Sequence, residues 1–480
     1  MGAPPADLTG WQYAFFLQDD WRVRPWLTLN LGLRYELQRP MKESRNLLAN
    51  FVPELAQVVT AGTTGYPVSL LETDKDNIGP RIGFALRPFK DDRTVIRGGG
   101  GIYYSLESFN VARQQLAVTF PFLVREQYSR LAANPLLISF SNPFPQEVRA
   151  VQGVNTPVGA QLENPSPVFY QYNLTIEREL ARDLVMEVGY VGSLGRHLGL
   201  RYNINANYPT GQLNAQGQPI NARRYTQFAD ITFQEQSGNS NYNALQTSLR
   251  RRARHGLTLL ASYTFSRAID NNSSTNNSTT GAQRNPQDIR NFAAERAVSD
   301  FHRQHQFSAS FNYELPFGRK RALLSGVTGV ADALISGWQF NGVATLLSGR
   351  PFTAQFNTAD VSQQRADLVG DPFANIPAGL FFNPAAFARP VPTAQDPTFF
   401  GNAGRNTLIG PNFRSVDLSL LKNFRLTEGL RLQFRAEAFN AFNHPNFQIP
   451  VNFLDNSNVG RVTITANEGR EFQFALKLLF

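Results

Sequence analysis

The last ten residues, EFQFALKLLF (471–480), are the stretch that decides the fold. Their apolar side chains fall on every second position, namely Phe472, Phe474, Leu476, Leu478 and Phe480. A period of two predicts a β-strand with one apolar face, and about ten residues is the length with which a tilted strand crosses a bilayer. The alternative is the edge strand of a soluble sheet, but an exposed hydrophobic edge invites aggregation. The segment therefore favours a membrane-spanning strand.

The same alternation recurs along the whole chain in pairs of segments. The second segment, for example, sets Leu27, Leu29 and Leu31 against Thr28 and Asn30. Two faces of opposite character in one strand indicate two different solvents. With the last segment, the sequence predicts thirteen strands, at 11–18, 27–37, 78–87, 93–105, 168–179, 184–195, 242–250, 257–267, 305–315, 337–348, 415–424, 430–440 and 471–480.

Short and long connections alternate between these segments. The segment 316–336 interrupts the short series and is expected to be partly helical, and 225–236 is a candidate extra strand within a long connection. Short turns at one rim and long loops at the other are typical of outer-membrane barrels. We therefore expect an all-β fold, an antiparallel transmembrane β-barrel of about 13–14 strands with long extracellular loops.

Composition agrees with this expectation and excludes several classes of protein. The chain has 480 residues, of which 42% are hydrophobic, yet it contains no apolar run long enough for a transmembrane helix. It has no cysteine, so thiolate metal sites and disulfides are excluded. The net charge of +9 would suit nucleic acid, but the basic clusters at 250–254 and 319–321 fall between predicted strands without a nucleic-acid-binding motif.

Strand parity leads to an expectation about domain organisation. Single-chain bacterial barrels have even strand numbers because both termini lie in the periplasm. Counting thirteen strands back from Phe480 places Met1 outside, and the opening MGAPPADLTG has no secretory signal pattern. We expect residues 1–480 to be the C-terminal part of a single, larger barrel domain. One overlooked strand would remove this parity argument.

Several segments resemble the barrel domain of TonB-dependent outer-membrane receptors, in particular the Oar-like group. They occur in order over nearly the whole chain, and include YAFFLQDDWRVRPWLTLNLGLRYE (13–36), NIGPRIGFALRPF (77–89), TVIRGGGGIYY (94–104), EVGYVGSLGRHL (187–198) and LQFRAEAFNAFNHPNF (432–447). The resemblance implies a barrel of about 22 strands with a signal peptide, a plug domain and a TonB box, none of which is recognisable here. It implies active import of an extracellular solute, driven by the TonB complex through the plug and the box.

The end of the chain also resembles the terminal strand of bacterial outer-membrane barrels. This likeness implies that Phe472, Phe474, Leu476, Leu478 and Phe480 form a signal for the barrel-assembly machinery in the outer membrane. The expected partners are thus outer-membrane lipid, that machinery, the TonB complex and an unidentified solute, with no nucleic acid.

The sequence offers no convincing catalytic, cofactor or metal site, and we expect no enzyme. His302 and His305 are three residues apart, so on an extended chain they face opposite sides and lack further ligands. The glycines at 98–101 lack the Lys-Ser/Thr and the helix of a phosphate loop. We expect them instead to make room for aromatic rings.

Polar side chains on the inward face are the candidate functional residues. They line either the substrate path or, as the favoured alternative, only bind one another and a plug; they are Glu314, Asp417, Arg431, Gln433, Arg435 and Glu437. Charges facing a wet lumen cost little, whereas Arg or Lys facing lipid costs about 2–4 kcal/mol at the midplane. Aromatic residues at strand ends are expected at the membrane interfaces: Trp11, Trp21, Trp26, Tyr103, Tyr104 and Trp338.

Three functions remain open from sequence. The first is the barrel portion of a TonB-dependent receptor, with specificity in the loops at 106–167 and 349–411. The second is a passive porin, and the third a surface-binding barrel without transport. A soluble enzyme ranks last.

Overall fold

The wall of the molecule is one antiparallel sheet of thirteen long strands. We describe it from a computed structural model that covers residues 5–105, 116–117, 119–123, 141, 156–254, 256–273, 286–319, 321–357, 364–392, 400–427 and 429–480. The wall strands are β1 (Leu8–Arg24), β2 (Leu27–Glu43), β3 (Ile78–Leu86), β4 (Thr94–Tyr104), β5 (Val168–Ala181), β6 (Leu184–Asn203), β7 (Thr232–Arg254), β8 (Leu257–Asp270), β9 (His305–Glu314), β10 (Trp338–Leu347), β11 (Phe413–Arg425), β12 (Arg431–Phe439) and β13 (Glu471–Leu479).

Each wall strand pairs with the next one in the chain, so the topology is a simple up-and-down meander. All thirteen predicted strands are present, and the main difference lies in their length. β6 has 20 residues and β7 has 23, about twice what a bilayer crossing needs. Their outer parts pair beyond register shifts at Glu235 to Gly238 and Gly238 to Ser240.

The prediction of an extra strand at 225–236 is wrong. Its last residues form the beginning of β7, which starts at Thr232, and residues 223–231 form turns and coil. The sequence pattern was misleading because the first part of β7, from Thr232 onward, extends beyond the length that a bilayer crossing needs. There, no lipid face imposes the alternation that marks the rest of the strand.

The register keeps one polar and one apolar face across the whole sheet. On β12, for instance, Leu432, Phe434 and Ala436 pair with Leu478, Leu476 and Phe474 of β13, while Gln433 pairs with Lys477. Directly opposed residues of an antiparallel pair share a face. Chaining the registers from β1 to β13 therefore assigns every wall position to one of two faces.

Two close contacts explain glycines on the apolar face. A Cβ at Gly98 would lie 2.5 Å from the ring of Phe84, and one at Gly192 would lie 2.3 Å from the ring of Tyr172. Real Cβ atoms do not approach other atoms so closely, so these positions need glycine. The prediction that the glycines at 98–101 accommodate aromatic rings is therefore confirmed for Gly98.

Connections of two kinds define two rims. At the short-connection rim, neighbouring strands are joined by residues 25–26, 87–93, 182–183, 255–256, 315–337 and 426–430. At the long-connection rim they are joined by residues 44–77, 105–167, 204–231, 271–304, 348–412 and 440–470. The segment 315–337 is the exception at the short-connection rim, and it contains the helix α1 (Gly329–Ile335), as the sequence predicts.

The buried apolar core lies in the long connections and not inside the wall. One cluster packs Phe352, Phe382 and Leu408 in the connection 348–412, and a second packs Leu48, Leu70 and neighbouring residues. In their described residues, these connections contain short strands and the 3-10 turns Phe292–Glu295 and Pro384–Ala386. The short strands are Ala49–Val52, Gln57–Thr60, Val158–Ala160, Tyr208–Leu213, Pro219–Ala222, Ala297–Val298, Pro351–Phe352, Gln355–Phe356, Gln364–Arg365, Asp367–Leu368, Phe387–Ala388 and Leu408–Ile409.

The sheet has two edges, β1 and β13. Successive strands are antiparallel and the strand number is odd, so both edge strands run from the long-connection rim to the short-connection rim. Within the described residues, neither β1 nor β13 has a second partner strand.

Candidate functional site

The six candidate residues identified from sequence all belong to the polar face of the wall. Glu314 pairs with Gln339 across β9 and β10, and Asp417 pairs with Val343 across β10 and β11. The other four are alternate residues of β12, whose partners on β13 include Lys477, Ala475 and Gln473. The register therefore brings them together at one end of the sheet, close to the edge strand β13.

These side chains bind local partners and not one another in a single network. Arg435 pairs with Glu437 at 2.8 Å, and Gln433 donates to Asn423 at 2.9 Å. Asp417 accepts the backbone N–H of Asn440 at 2.8 Å. Glu314 pairs with Arg321 of the connection 315–337 at 3.2 Å, and Arg431 lies opposite Arg425.

The polar face continues beyond these six residues along the wall. Further contacts on it include ion pairs between Arg34 and Glu36 at 2.7 Å and between Arg97 and Glu177 at 3.4 Å. Tyr103 also belongs to this face, where its ring lies 4.5 Å from the Arg81 guanidinium. Its predicted place among aromatic residues at the membrane interface is therefore wrong, because the strand register turns its side chain away from the apolar face.

The opposite face is apolar and open to the surroundings. Phe15, Leu33, Ile82, Leu174 and Leu476 are all exposed on it. On β13, the apolar side chains Phe472, Phe474, Leu476 and Leu478 follow this face, and Phe480 lies just beyond the strand and is fully exposed. The sequence assigned these five residues to recognition by the assembly machinery, which stays a prediction.

The long connections contain a cavity of about 610 Å³, here called the mouth pocket. It lies among the connections 271–304, 348–412 and 440–470, and its walls include Phe352, Phe447 and Ile464. Phe413, the first residue of β11, also lines it and has its side chain on the polar face. The mouth pocket therefore lies where the polar face meets the long connections.

Charged groups form one side of the mouth pocket. Asp300, Arg303 and Arg350 line it. The backbone carbonyl of Asp300 accepts the Arg350 Nε–H at 3.3 Å, and the carbonyl of Ser348 accepts a hydrogen bond from Arg303. Burial, and secondly the neighbouring Arg350 charge, lower the pKa of Arg303.

Two buried ion-pair clusters join the connections 271–304 and 348–412. Arg365 pairs with Glu295 at 2.7 Å, and both side chains are almost fully buried. Arg405 binds the carboxylate of Asp270 and lies 3.5 Å from that of Asp300. Asn406 donates to Asp300 at 2.6 Å. Such pairs fix one arrangement of the two connections, because an unpaired buried charge is costly.

Sequence reasoning assigned specificity to the loops at 106–167 and 349–411 but named no residue in them. Most of 106–167 lies outside the described residues, whereas the second loop supplies Arg350, Phe352 and Asn406 to the mouth pocket. The pocket was missed because its residues come from three connections without a common periodicity. No local pattern could have joined them.

The two histidines occupy separate hydrogen-bonded positions. His302 Nδ1 accepts the backbone N–H of Ala268 at 3.3 Å, and His305 Nδ1 lies 2.8 Å from the hydroxyl of Tyr263. Among the described residues there is no group of three or more His, Asp or Glu side chains arranged to hold a metal ion. No helix in that part of the chain is long and apolar enough to span a membrane.

A family model described as an outer membrane beta barrel domain matches residues 2–473. The chain belongs to this family. As an outer-membrane barrel domain it lies in the bacterial outer membrane. This confirms the fold class and the location predicted from the alternating strands. No curated protein matches the chain.

Three solved structures, all of bacterial proteins, are similar to this chain. The outer membrane transporter YddB from Escherichia coli has 11% identity and a TM-score of 0.50, over 98% of this chain and 45% of that one. The ferripyoverdine receptor of Pseudomonas aeruginosa has 10% identity and a TM-score of 0.45, over 99% and 39%. The siderophore receptor PirA from Acinetobacter baumannii has 10% identity and a TM-score of 0.44, over 98% and 45%. This barrel domain thus spans less than half of each of these chains.

Membership in the family assigns the two faces and the two rims of the wall to their surroundings. In bacterial outer-membrane barrels, apolar side chains face lipid, short turns face the periplasm and long loops face the exterior. The exposed apolar face of this wall therefore contacts lipid. The mouth pocket accordingly lies on the extracellular side, among the long connections.

Proposed function

We propose that this chain forms the wall and the outer loops of a TonB-dependent transporter that imports a large solute across the outer membrane. The observation that carries the proposal is the continuous polar face, which thirteen strands maintain opposite an apolar one. A polar face of this extent suits a water-filled path or a polar plug. The apolar cluster in the connection 348–412 and the mouth pocket among the long connections suit capture of a solute on the outside.

We further propose that residues 1–480 are the C-terminal part of a single larger barrel. The open edges β1 and β13 support this, because unpaired backbone N–H and C=O groups are costly in a bilayer. The plug and the TonB box would belong to other parts of the protein. In this proposal the TonB complex acts on them and not on the wall.

Glu314, Asp417, Arg431, Gln433, Arg435 and Glu437 are proposed to line the lumen. Support comes from their common face and from ion pairs such as Arg435 with Glu437, which leave both side chains partly exposed. The terminal side chains Phe472, Phe474, Leu476, Leu478 and Phe480 are proposed to recruit the barrel-assembly machinery. Their exposure next to a free strand edge suits recognition by strand addition.

The test of import is accumulation of labelled candidate solutes in cells that express the complete protein, with and without TonB. Active import predicts accumulation against the gradient that disappears when TonB is removed. TonB-independent equilibration, together with a steady conductance in planar bilayers, would overturn the proposal in favour of a passive pore.

The lumen-lining role is tested with Arg435→Ala in the complete protein, with Arg182→Ala as a control, because Arg182 lies in the short connection 182–183 with its side chain 85% exposed and is not among the proposed lumen-lining residues. The Arg435 pair is partly exposed, so its loss should cost less than about 1 kcal/mol of stability. A path role predicts reduced uptake at nearly unchanged thermal stability. Unchanged uptake with lowered stability would reject that role.

A further inference from the structure

The mouth pocket holds two guanidinium groups, those of Arg303 and Arg350, that have no carboxylate within ion-pair distance in the described part of the chain. The nearby carboxylate of Asp300 is already bound by Asn406 at 2.6 Å and lies 3.5 Å from Arg405. Arg350 donates to the backbone carbonyl of Asp300 and interacts with its carboxylate only at longer range, and Arg303 donates to the carbonyl of Ser348.

This arrangement is costly without a counter-ion. Both arginines are half-buried, and burial, with the nearby charge of Arg350 as a second cause, lowers the pKa of Arg303. A guanidinium has five N–H donors, so a single backbone acceptor leaves most of them free. The free donors and the repulsion between the two cations are both relieved when an anion enters.

The other residues that line the pocket indicate which kind of molecule bears the anionic group. Phe352, Phe413, Phe447, Ile449 and Ile464 contribute apolar surface to the pocket. Its volume of about 610 Å³ falls in the range typical of pockets for small organic molecules and far exceeds the space that one ion needs. The amide groups of Asn406 and Asn452 are engaged with Asp300 and with the carbonyl of Thr353, so they build the pocket wall.

We propose that the mouth pocket binds a carboxylate-bearing solute with an apolar body, its carboxylate held between Arg303 and Arg350. A planar guanidinium matches a carboxylate through two parallel hydrogen bonds, and two guanidiniums also fix its orientation. The apolar body lies against the phenylalanine and isoleucine walls. The inference deepens the proposed function and rests on it for its meaning, because this solute would be the imported cargo.

The test is binding of matched probes to the purified complete protein in detergent micelles, measured by calorimetry. Phenylbutyrate, phenylbutanol and phenylbutylamine share a body and differ in the head group. The carboxylate is expected to bind at least about 10-fold more tightly than the alcohol, since hydrogen bonds between charged groups are the strong ones, and the amine is expected not to bind.

Arg303→Gln combined with Arg350→Gln should remove the preference for the carboxylate. Arg461→Gln is the matched control, because Arg461 lies on the connection 440–470, is exposed and does not line the pocket. Folding of each variant is checked by the mobility shift of unheated protein in gels. Ile464→Trp provides a second variant with both arginines intact, and it should weaken phenylbutyrate and phenylbutanol alike by filling the apolar side.

The outcomes separate this inference from the proposed function. Carboxylate binding that survives the double arginine change in folded protein, or equal binding of the three probes, would overturn the inference even if import is TonB-dependent. Arginine-dependent carboxylate binding supports it even if cells show no import, in which case only the proposed function fails.

Discussion

At the residue scale, Arg405 is a buried charge that joins the extracellular connections 271–304 and 348–412. It is almost fully buried and holds the carboxylates of Asp270 and Asp300 from one side. Arg405→Met would leave both carboxylates buried without their cation. Removal of one partner of a buried pair costs about 3–5 kcal/mol, so we expect the connections 271–304 and 348–412 to open at much lower urea. Pulse proteolysis of the folded protein measures this.

Arg290→Met is the matched control for that change. Arg290 pairs with Asp288 at 2.8 Å in the connection 271–304, but its side chain is half exposed. An exposed pair contributes less than about 1 kcal/mol. Equal sensitivity of the two variants to protease would contradict a special role for the buried cluster.

Asp300 should make the stability of the same connections depend on pH. Burial raises the pKa of its carboxyl above the ordinary value, although Asn406 and Arg405 partly offset this and Asp270 adds to it. A group whose pKa is higher in the folded state binds its proton more tightly there. Its stabilising contribution is complete below the unfolded pKa and is lost as pH rises through the folded pKa.

We therefore expect Asp300→Asn to weaken this dependence. Over the interval above about pH 4, the wild type should lose protease resistance with rising pH more steeply than the variant. The difference between the two proteins isolates Asp300 from other titrating groups. Parallel pH profiles would show that Asp300 has the same pKa in the open and closed connections.

At the element scale, the alternation of side chains was enough to predict the wall and not the loops. In β12, every second residue from Arg431 to Glu437 could be assigned to the polar face from sequence, because lipid on the other side enforces the period of two. The outer parts of β6 and β7 have no such constraint, and their ends were misjudged. The mouth pocket joins Arg303, Arg350 and Phe447 from three connections, and only the folded chain brings them together.

The connection 315–337 is the element that departs from the short-turn pattern. It packs against the lipid face: Trp338 Nε1 donates to the carbonyl of Leu334 at 2.9 Å, and Lys422, on that face, donates to the carbonyl of Ser336. Val330 is 78% exposed on α1. Because this segment adjoins the lipid-facing wall at the periplasmic rim, we expect Val330 to enter the lipid interface.

The absence of cysteine makes this expectation easy to test. Val330→Cys, labelled with a polarity-sensitive dye in lipid bilayers, should show blue-shifted emission that brominated phospholipids quench. Asp92→Cys is the control, since Asp92 lies in another short connection with its side chain 70% exposed. Emission from position 330 that matches position 92 would place the helix in water, as would resistance to quenching.

At the scale of the whole molecule, the wall and the loops are stabilised differently. The wall has an apolar, lipid-facing surface and a polar surface. It is held together by the backbone hydrogen bonds between neighbouring strands from β1 to β13. The extracellular connections have apolar clusters of their own and buried ion pairs. The extracellular connections and the membrane wall can thus be altered by separate sets of residues, so the loop variants above test the proposed solute binding without changing the wall.

The directions of the two edge strands limit how the wall can close. β1 and β13 run in the same direction, so direct pairing between them would be parallel, whereas outer-membrane barrel strands pair antiparallel. Antiparallel closure needs an odd number of additional strands between them. We therefore expect Gln18→Cys, combined in turn with Gln473→Cys, Ala475→Cys or Lys477→Cys, to form no disulfide in the assembled protein.

Gln433→Cys with Lys477→Cys is the positive control, because these residues are directly paired on β12 and β13 and share a face. Their Cα atoms then fall near the roughly 4.4–6.8 Å that a disulfide spans. Slow amide hydrogen exchange along the outer edges of β1 and β13 would show that further strands cover both. Efficient cross-linking from position 18 to β13 would mean that thirteen strands close on themselves, and the larger barrel would have to be abandoned.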